Sequence, residues 1–186
     1  MKKEASVLVA DIEEVLLDYA TISARTGELA AQIAADYQGK DLIMVGILNG
    51  AVVFYVDLMM ELAIPLEMNF MRVSSYGAGT KSSGNVRVLY DLEVDITAKH
   101  VLLVEDIIDS GNTLHALKEL LLRRGAQSVK CCCLLDEKEK REVPIEADYV
   151  GFVVPDKFLV GYGLDYAGKY RNLKMVGTLR KEIYEQ

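Results

Sequence analysis

From Thr21 to Tyr37 the apolar residues Ile22, Leu29, Ile33 and Tyr37, with Ala30 and Ala34 between, recur at helical spacing; Gly39 then stops the helix. Asp41-LIMVGIL-Asn49 is a continuous apolar run of strand length. Gly50 follows it, and AVVFYVDLMMEL then reads as a helix. Pro65 breaks the chain before a second strand, LEMNFMRV. Residues 41–73 therefore predict a strand–helix–strand unit, the sign of a parallel sheet. The next stretch, SSYGAGTKSSGN at 74–85, has three glycines, four serines and no periodicity, and predicts a long mobile loop. VRVLYDL is strand-like and HVLLVED predicts a buried strand. NTLHALKELLLRRG, 112–125, predicts an amphipathic helix closed by Gly125, and QSVKCCCLL another strand. DEKEKREVP, 136–144, is a charged turn. ADYVGFVVP, FLVGYG and MVGTL are short late strands. The whole predicts one α/β domain with a parallel sheet and a small accessory layer.

Composition narrows the class. The 186 residues suit one domain, and 51% are apolar, a globular composition. No apolar run is long enough to span a bilayer. In MKKEASVLVADIEE the apolar stretch Ala5 to Ala10 is short and acidic residues follow at once, which makes a poor secretory signal and predicts a cytoplasmic protein. The net charge is -7 and no basic stripe advertises nucleic-acid binding. Cys131, Cys132 and Cys133 are consecutive in a predicted strand. Neighbours there point to opposite faces, so they are badly placed to pair, and no Cys/His spacing suggests zinc. They read as core thiols in a reducing compartment.

The chemistry concentrates in VLLVEDIIDSGNTL, 101–114. A strand, a small-residue turn and a helix place the turn at the carboxyl edge of the sheet, where open α/β sheets bind ligands. Ser110, Gly111, Asn112 and Thr113 then lie at a helix N-terminus, whose free N–H groups and dipole favour an anion. Gly111 permits close backbone approach, and the Ser110 and Thr113 hydroxyls can donate to a phosphate. Glu105, Asp106 and Asp109 suit sugar hydroxyls, a metal ion or a proton in transit; a ribose 5-phosphate would satisfy the whole stretch. An ordinary helix cap at Asp109 or Ser110 would explain one or two polar residues but not Glu105 and Asp106. Neither the GxxxxGK[ST] nor the GxGxxG spacing is present in this stretch.

This stretch resembles the 5-phosphoribosyl-1-pyrophosphate (PRPP) motif of type I phosphoribosyltransferases. ILNGAVVF, SSY, VPDKFLVGYGLDY and KYRNL recur in that order in hypoxanthine-guanine phosphoribosyltransferases, and the resemblance covers roughly residues 15–180. It implies a single domain, 1–186, with a Rossmann-like parallel sheet flanked by helices. A small hood would be built from parts of the N-terminal region and residues 155–186. It implies Mg²⁺-dependent transfer of the 5-phosphoribosyl group from PRPP to hypoxanthine or guanine. The products are IMP or GMP and pyrophosphate, a purine-salvage reaction of a homodimer or homotetramer.

The resemblance also assigns residues. Glu105 and Asp106 would contact the ribose hydroxyls directly or through Mg²⁺, with Asp165 as a further metal carboxylate. Asp109 would act as general base or acid near the purine N7. Ser110, Gly111, Asn112 and Thr113 would hold the 5′-phosphate. Asn49, Gly50, Ser75, Tyr76 and Arg171 would serve pyrophosphate, with Ser75-Tyr76 in a lid. The Asn49-Gly50 loop often carries a non-proline cis peptide in the family. Phe158 would stack on the base, Leu159 would read its edge through the backbone, and Lys157 and Lys138 would complete the purine site. Two positions depart from the pattern. Many members have Lys or Arg where Asn49 stands, and Glu137 stands where a lysine usually meets the 6-oxo group, so Lys138 is expected to reach in. Glu137 keeps a preference for xanthine or a 6-aminopurine open, and a nucleotide-sensing regulator on the same fold is the other alternative.

Overall fold

The computed structural model describes residues 8–75 and 86–185. Tyr76 and most of the expected lid lie outside them. Among the described residues, six strands form the main sheet: β2 (Leu42–Leu48), β3 (Glu67–Ser75), β4 (Val86–Tyr90), β5 (His100–Ile108), β6 (Ser128–Asp136) and β7 (Tyr149–Val153). Their order is β4-β3-β2-β5-β6-β7, and all are parallel except the edge strand β4.

Both faces of the central strands are covered, which is why β2 and β5 read as unbroken apolar runs. On one face α1 (Tyr19–Tyr37) and α2 (Val52–Glu61) pack Ile22, Leu29, Ile33, Phe54 and Leu58 on Met44, Leu102, Val104 and Cys132. On the other, α3 (Asn112–Arg123) packs Leu114, Leu117 and Leu121 on Val45, Leu103, Cys131 and Cys133. The three cysteines are free and buried, and burial raises each thiol above its ordinary range. No helix of the described residues is long and apolar enough to cross a membrane.

After β2 the chain crosses to β3 on one side; after β5 it crosses to β6 on the other. The carboxyl ends of β2 and β5 thus flank the switch point of the sheet, the crevice where such folds bind ligands. Asn49-Gly50 and the stretch from Glu105 to Thr113 both lie there.

A second sheet, antiparallel, has the order β1-β9-β8, from β1 (Ile12–Asp18), β8 (Leu159–Val160) and β9 (Met175–Leu179). Its own small core joins Ile12, Val160, Tyr170, Leu173 and Leu179. A short helix, α4 (Lys181–Tyr184), follows it. The sequence pattern does not reveal β1. Register shifts at Ile12/Glu14 and Val15/Leu17 break the two-residue alternation that would have marked it. The expected strand FLVGYG shortens to Leu159–Val160, because Gly161 and Leu164 exchange backbone hydrogen bonds (3.1 and 3.0 Å) and turn the chain.

Candidate active site

β5 runs two residues beyond the acidic pair, so Glu105 and Asp106 lie inside a strand and not at its end. Strand alternation then sends them to opposite faces. Glu105 shares the face of Leu103 and Cys133 and lines a cleft of about 200 Å³ with Ile107, Asp109, Gly111 and Thr113. Burial pushes its carboxyl well above the usual range, and the nearby charges of Asp106 and Asp109 add to the rise. Asp106 sits on the other face against Gly50: a Cβ there would lie 1.7 Å from Asp106 Oδ2. Burial raises Asp106 to about 6, against the pull of the backbone N–H groups of 106 and 107 and of Arg171.

Position 163 is closed to a side chain in turn: Gly163, at φ 103°, lies between β8 and β9, and a Cβ there would come within 2.0 Å of the carbonyl oxygen of Gly50. The Leu48–Asn49 peptide before it is cis, and Asn49 itself is exposed. The segment 163–171 closes over this pole of the crevice. Arg171 donates from Nη1 to Gly163 O (2.5 Å) and pairs through Nη2 with Asp165 Oδ1 (2.6 Å). Asp165 Oδ2 accepts from Gly168 N at 2.8 Å. Asp106, Asp165 and Arg171 therefore share one pole. The expected set of Glu105, Asp106 and Asp165 is not gathered, because Glu105 faces the other way. Among the described residues no three His, Cys, Asp or Glu side chains converge on one point.

The turn after β5 is built as an open helix start. α3 begins at Gly111, φ 81°, with no side-chain cap among the described residues. His115 N makes its hydrogen bond to Gly111 O (2.9 Å), so the N–H groups of the preceding turn have no helical acceptor. Asp109 Oδ1 accepts from Ser110 N (2.6 Å) and from its hydroxyl (3.3 Å), while Ser110 Oγ approaches Asn112 N at 3.4 Å. The charged turn 136–144 braces this loop from outside. Glu142 N donates to Ser110 O (2.9 Å), and Asn112 Nδ2 donates to Glu142 Oε2 (2.6 Å). Arg141 donates to Asp109 O and pairs with the fully buried Asp136. The Asn112 side chain is thus committed to the brace, and the loop's offer to an anion is mainly backbone N–H.

A larger cavity, about 700 Å³, lies between the small sheet and the ends of β5 and β6. Ile107 lines both it and the Glu105 cleft. Phe158 and Leu159 form part of its wall; Phe158 stacks on Tyr184 (4.5 Å between centroids, 18°) and meets Tyr166 edge-on at 5.5 Å. Leu159 is fixed by pairing with Thr178 in β9. Lys157 lines the cavity with its ammonium on Glu14 (2.8 Å). Lys138 does not line it; its ammonium bonds Glu146 at 3.1 Å and lies 3.8 Å from Asp136. Lys140 does line it, between Glu137 (3.1 Å) and Asp156 (2.8 Å). A 3₁₀ turn, Lys138–Lys140, decides this: residues three apart eclipse in such a turn, so Glu137 and Lys140 share a face that Lys138 leaves.

A family profile described as "Phosphoribosyl transferase domain" matches residues 14–167. The chain belongs to the phosphoribosyltransferase family. It is 47% identical over 178 residues to the hypoxanthine-guanine phosphoribosyltransferase of Streptococcus pneumoniae, covering 96% of this chain and 99% of that protein. It is 49% identical over 176 residues to the bifunctional protein TilS/HprT of Listeria innocua, covering 95% of this chain but only 27% of that longer protein. The crystal structure of a hypoxanthine phosphoribosyltransferase from Staphylococcus aureus superposes with a TM-score of 0.95 at 46% identity, over 99% of this chain and 100% of that one.

Within this phosphoribosyltransferase, three residues near the site are not legible in the sequence: Lys140, Arg141 and Tyr184. Each reaches the site from a turn or short helix, where no periodicity announces which side faces inward.

Proposed function

We propose that the chain transfers the 5-phosphoribosyl group of PRPP to hypoxanthine or guanine, forming IMP or GMP and releasing pyrophosphate, as a step of purine salvage. One observation carries the reading: at the switch point an uncapped helix start and the carboxylates of Glu105 and Asp109 line a cleft that Ile107 joins to a base-sized cavity. The names of relatives at 46–49% identity support it.

In this reading the N–H groups of Gly111 to Leu114 and the Thr113 hydroxyl hold the 5′-phosphate. Glu105 and Asp106 flank the ribose from the two faces of β5. The backbone around Gly50, the side chain of Arg171 and the exposed Asn49 receive pyrophosphate, and Ser75 and Tyr76 are assigned to it on the family resemblance. The base lies against Phe158 and the backbone of Leu159, with Lys157 nearby. Asp109, exposed beside the cleft, takes or returns the proton at N7. Asp106 and Asp165 suit Mg²⁺, which needs only one or two carboxylates when phosphates and waters complete its shell. When bound, the ion would neutralise charge on the leaving pyrophosphate. The cavity carries Glu13, Glu14, Glu137, Asp156 and Asp165 against Lys140, Lys157 and Lys181, an excess of negative charge that disfavours the readily ionised xanthine. We place the enzyme in the cytoplasm, as a homodimer or homotetramer, on the family resemblance.

The test is a base panel. Protein, PRPP and Mg²⁺ are incubated separately with hypoxanthine, guanine, xanthine and adenine, and nucleotide formation is followed. IMP and GMP are expected, with little product from xanthine or adenine. Product from adenine alone would replace the 6-oxopurine assignment.

A further inference from the structure

The corner after β8 is bound to α2 by a side chain that the site as described does not use. Tyr162 is 1% exposed, and its hydroxyl donates to Asp57 Oδ2 at 2.6 Å, from the small sheet to the middle of α2. The same carboxylate oxygen accepts a longer bond, 3.4 Å, from the hydroxyl of Tyr19 at the start of α1. A buried phenol needs a partner, and a carboxylate acceptor makes the bond a strong one. The backbone at Tyr162 is held against its own preference. Its φ is 48°, in the left-handed region that a residue with a side chain keeps only when its surroundings fix it. Backbone bonds do part of this, from Tyr162 N to Leu173 O (2.9 Å) and from Gly163 N to Arg171 O (3.0 Å). Those bonds stay inside the corner. The Tyr162–Asp57 bond reaches out of it, to the helix that starts just after Gly50.

We infer that Tyr162 is a positioning residue for the pyrophosphate pole of the site: its bond to Asp57 fixes the separation between the Gly50 loop and the Asp165–Arg171 pair. The inference rests on the phosphoribosyl-transfer reading above. Both ends of the bond lead to that pole. Asp57 lies about 10 Å along α2 from Gly50. At the other end Gly163 packs on Gly50 O with no room for a Cβ, and its own carbonyl accepts from Arg171 Nη1 at 2.5 Å. A corner that swings away from α2 takes Gly163 off Gly50 and carries Arg171 with it. Two groups that grip one ligand lose their hold when their separation is not fixed. Neither Tyr162 nor Asp57 lines the large cavity, so the base is held independently of the bond.

The experiment measures KM for PRPP, KM for hypoxanthine and kcat in Mg²⁺, with Kd for pyrophosphate and Mg²⁺ by calorimetry and the unfolding midpoint by denaturant. The proteins are the wild type, Tyr162→Phe, Asp57→Leu, Asp57→Asn and the double variant Tyr162→Phe/Asp57→Leu. Tyr162→Phe is expected to raise KM for PRPP and Kd for pyrophosphate about 3- to 10-fold, the scale of one hydrogen bond, with KM for hypoxanthine unchanged. Asp57→Leu does the same, and the double variant is no worse than either single one, because both remove one interaction. Asp57→Asn keeps an acceptor for the phenol and stays near the wild type. A lowered unfolding midpoint with every KM and Kd at the wild-type value makes the bond purely structural and overturns the inference. So does a rise in KM for hypoxanthine as large as that for PRPP. A wild type that forms no nucleotide overturns the phosphoribosyl-transfer reading instead, and the pyrophosphate Kd of Tyr162→Phe against the wild type then decides the positioning role.

Discussion

Asp106 carries its charge in a buried corner between Gly50 and the Asp165–Arg171 pair, and its carboxyl rises from 3.8 to about 6. The folded protein therefore holds this proton more tightly than the unfolded chain does. The stabilisation is full below about pH 4, fades as pH rises through 6, and is absent above it. Asp106→Asn should accordingly raise the stability of the free protein at pH 8, in EDTA, by about 1–3 kcal/mol. The gain should shrink as pH falls toward 4. Denaturant titrations at both ends of that range check it; a destabilised variant at pH 8 would contradict the assigned burial. The same substitution should abolish most activity, because the corner is shaped for a charge that substrate and metal complete. Asp109 is the opposite case, an exposed carboxylate to which we assign proton transfer. Asp109→Ala should lower kcat by about 10²–10⁴-fold and leave PRPP affinity near the wild-type value. Calorimetric titration with PRPP and Mg²⁺ beside steady-state kinetics separates the two quantities.

At the scale of elements, the turn 136–144 is the part whose purpose is easiest to miss. It reads in sequence as a solvated charge run, yet it clamps the loop 109–112 through Glu142 and Arg141. Glu142→Ala frees Asn112 and should raise KM for PRPP several-fold with little change in kcat, which initial rates at fixed base will show. Helix α3 is held to the sheet by Leu114, Leu117 and Leu121, all 0–1% exposed. Leu117→Ala should cost about 2–5 kcal/mol of stability, measured by chemical unfolding. The long elements were legible in the sequence for the reason that makes them stable: β2, β5, β6, α1 and α3 each bury a regular apolar pattern. Legibility failed where the pattern is local or broken. β1 carries two register irregularities, β8 is two residues long, and the inward lysine depends on the phase of a single 3₁₀ turn. The acidic pair was found by its composition, but its split across two faces follows from β5 continuing to Ile108, which the charges themselves disguised.

For the molecule as a whole, the site lies where two sheets meet. The main sheet supplies the open helix start at Gly111 and the acidic residues. The small sheet supplies Phe158 and Leu159, and the segment 163–171 closes on Gly50. A ligand that touches both should tie them together, so PRPP with Mg²⁺ at one hundred times its dissociation constant should stabilise the protein by about 2.7 kcal/mol. A thermal shift that grows with PRPP concentration reports this coupling. The most direct test of the account is a crystal structure with IMP bound. The 5′-phosphate should lie against the backbone N–H groups at the start of α3, with the base against Phe158 and the backbone of Leu159. A nucleotide seated elsewhere, with the helix start at Gly111 untouched, would contradict it.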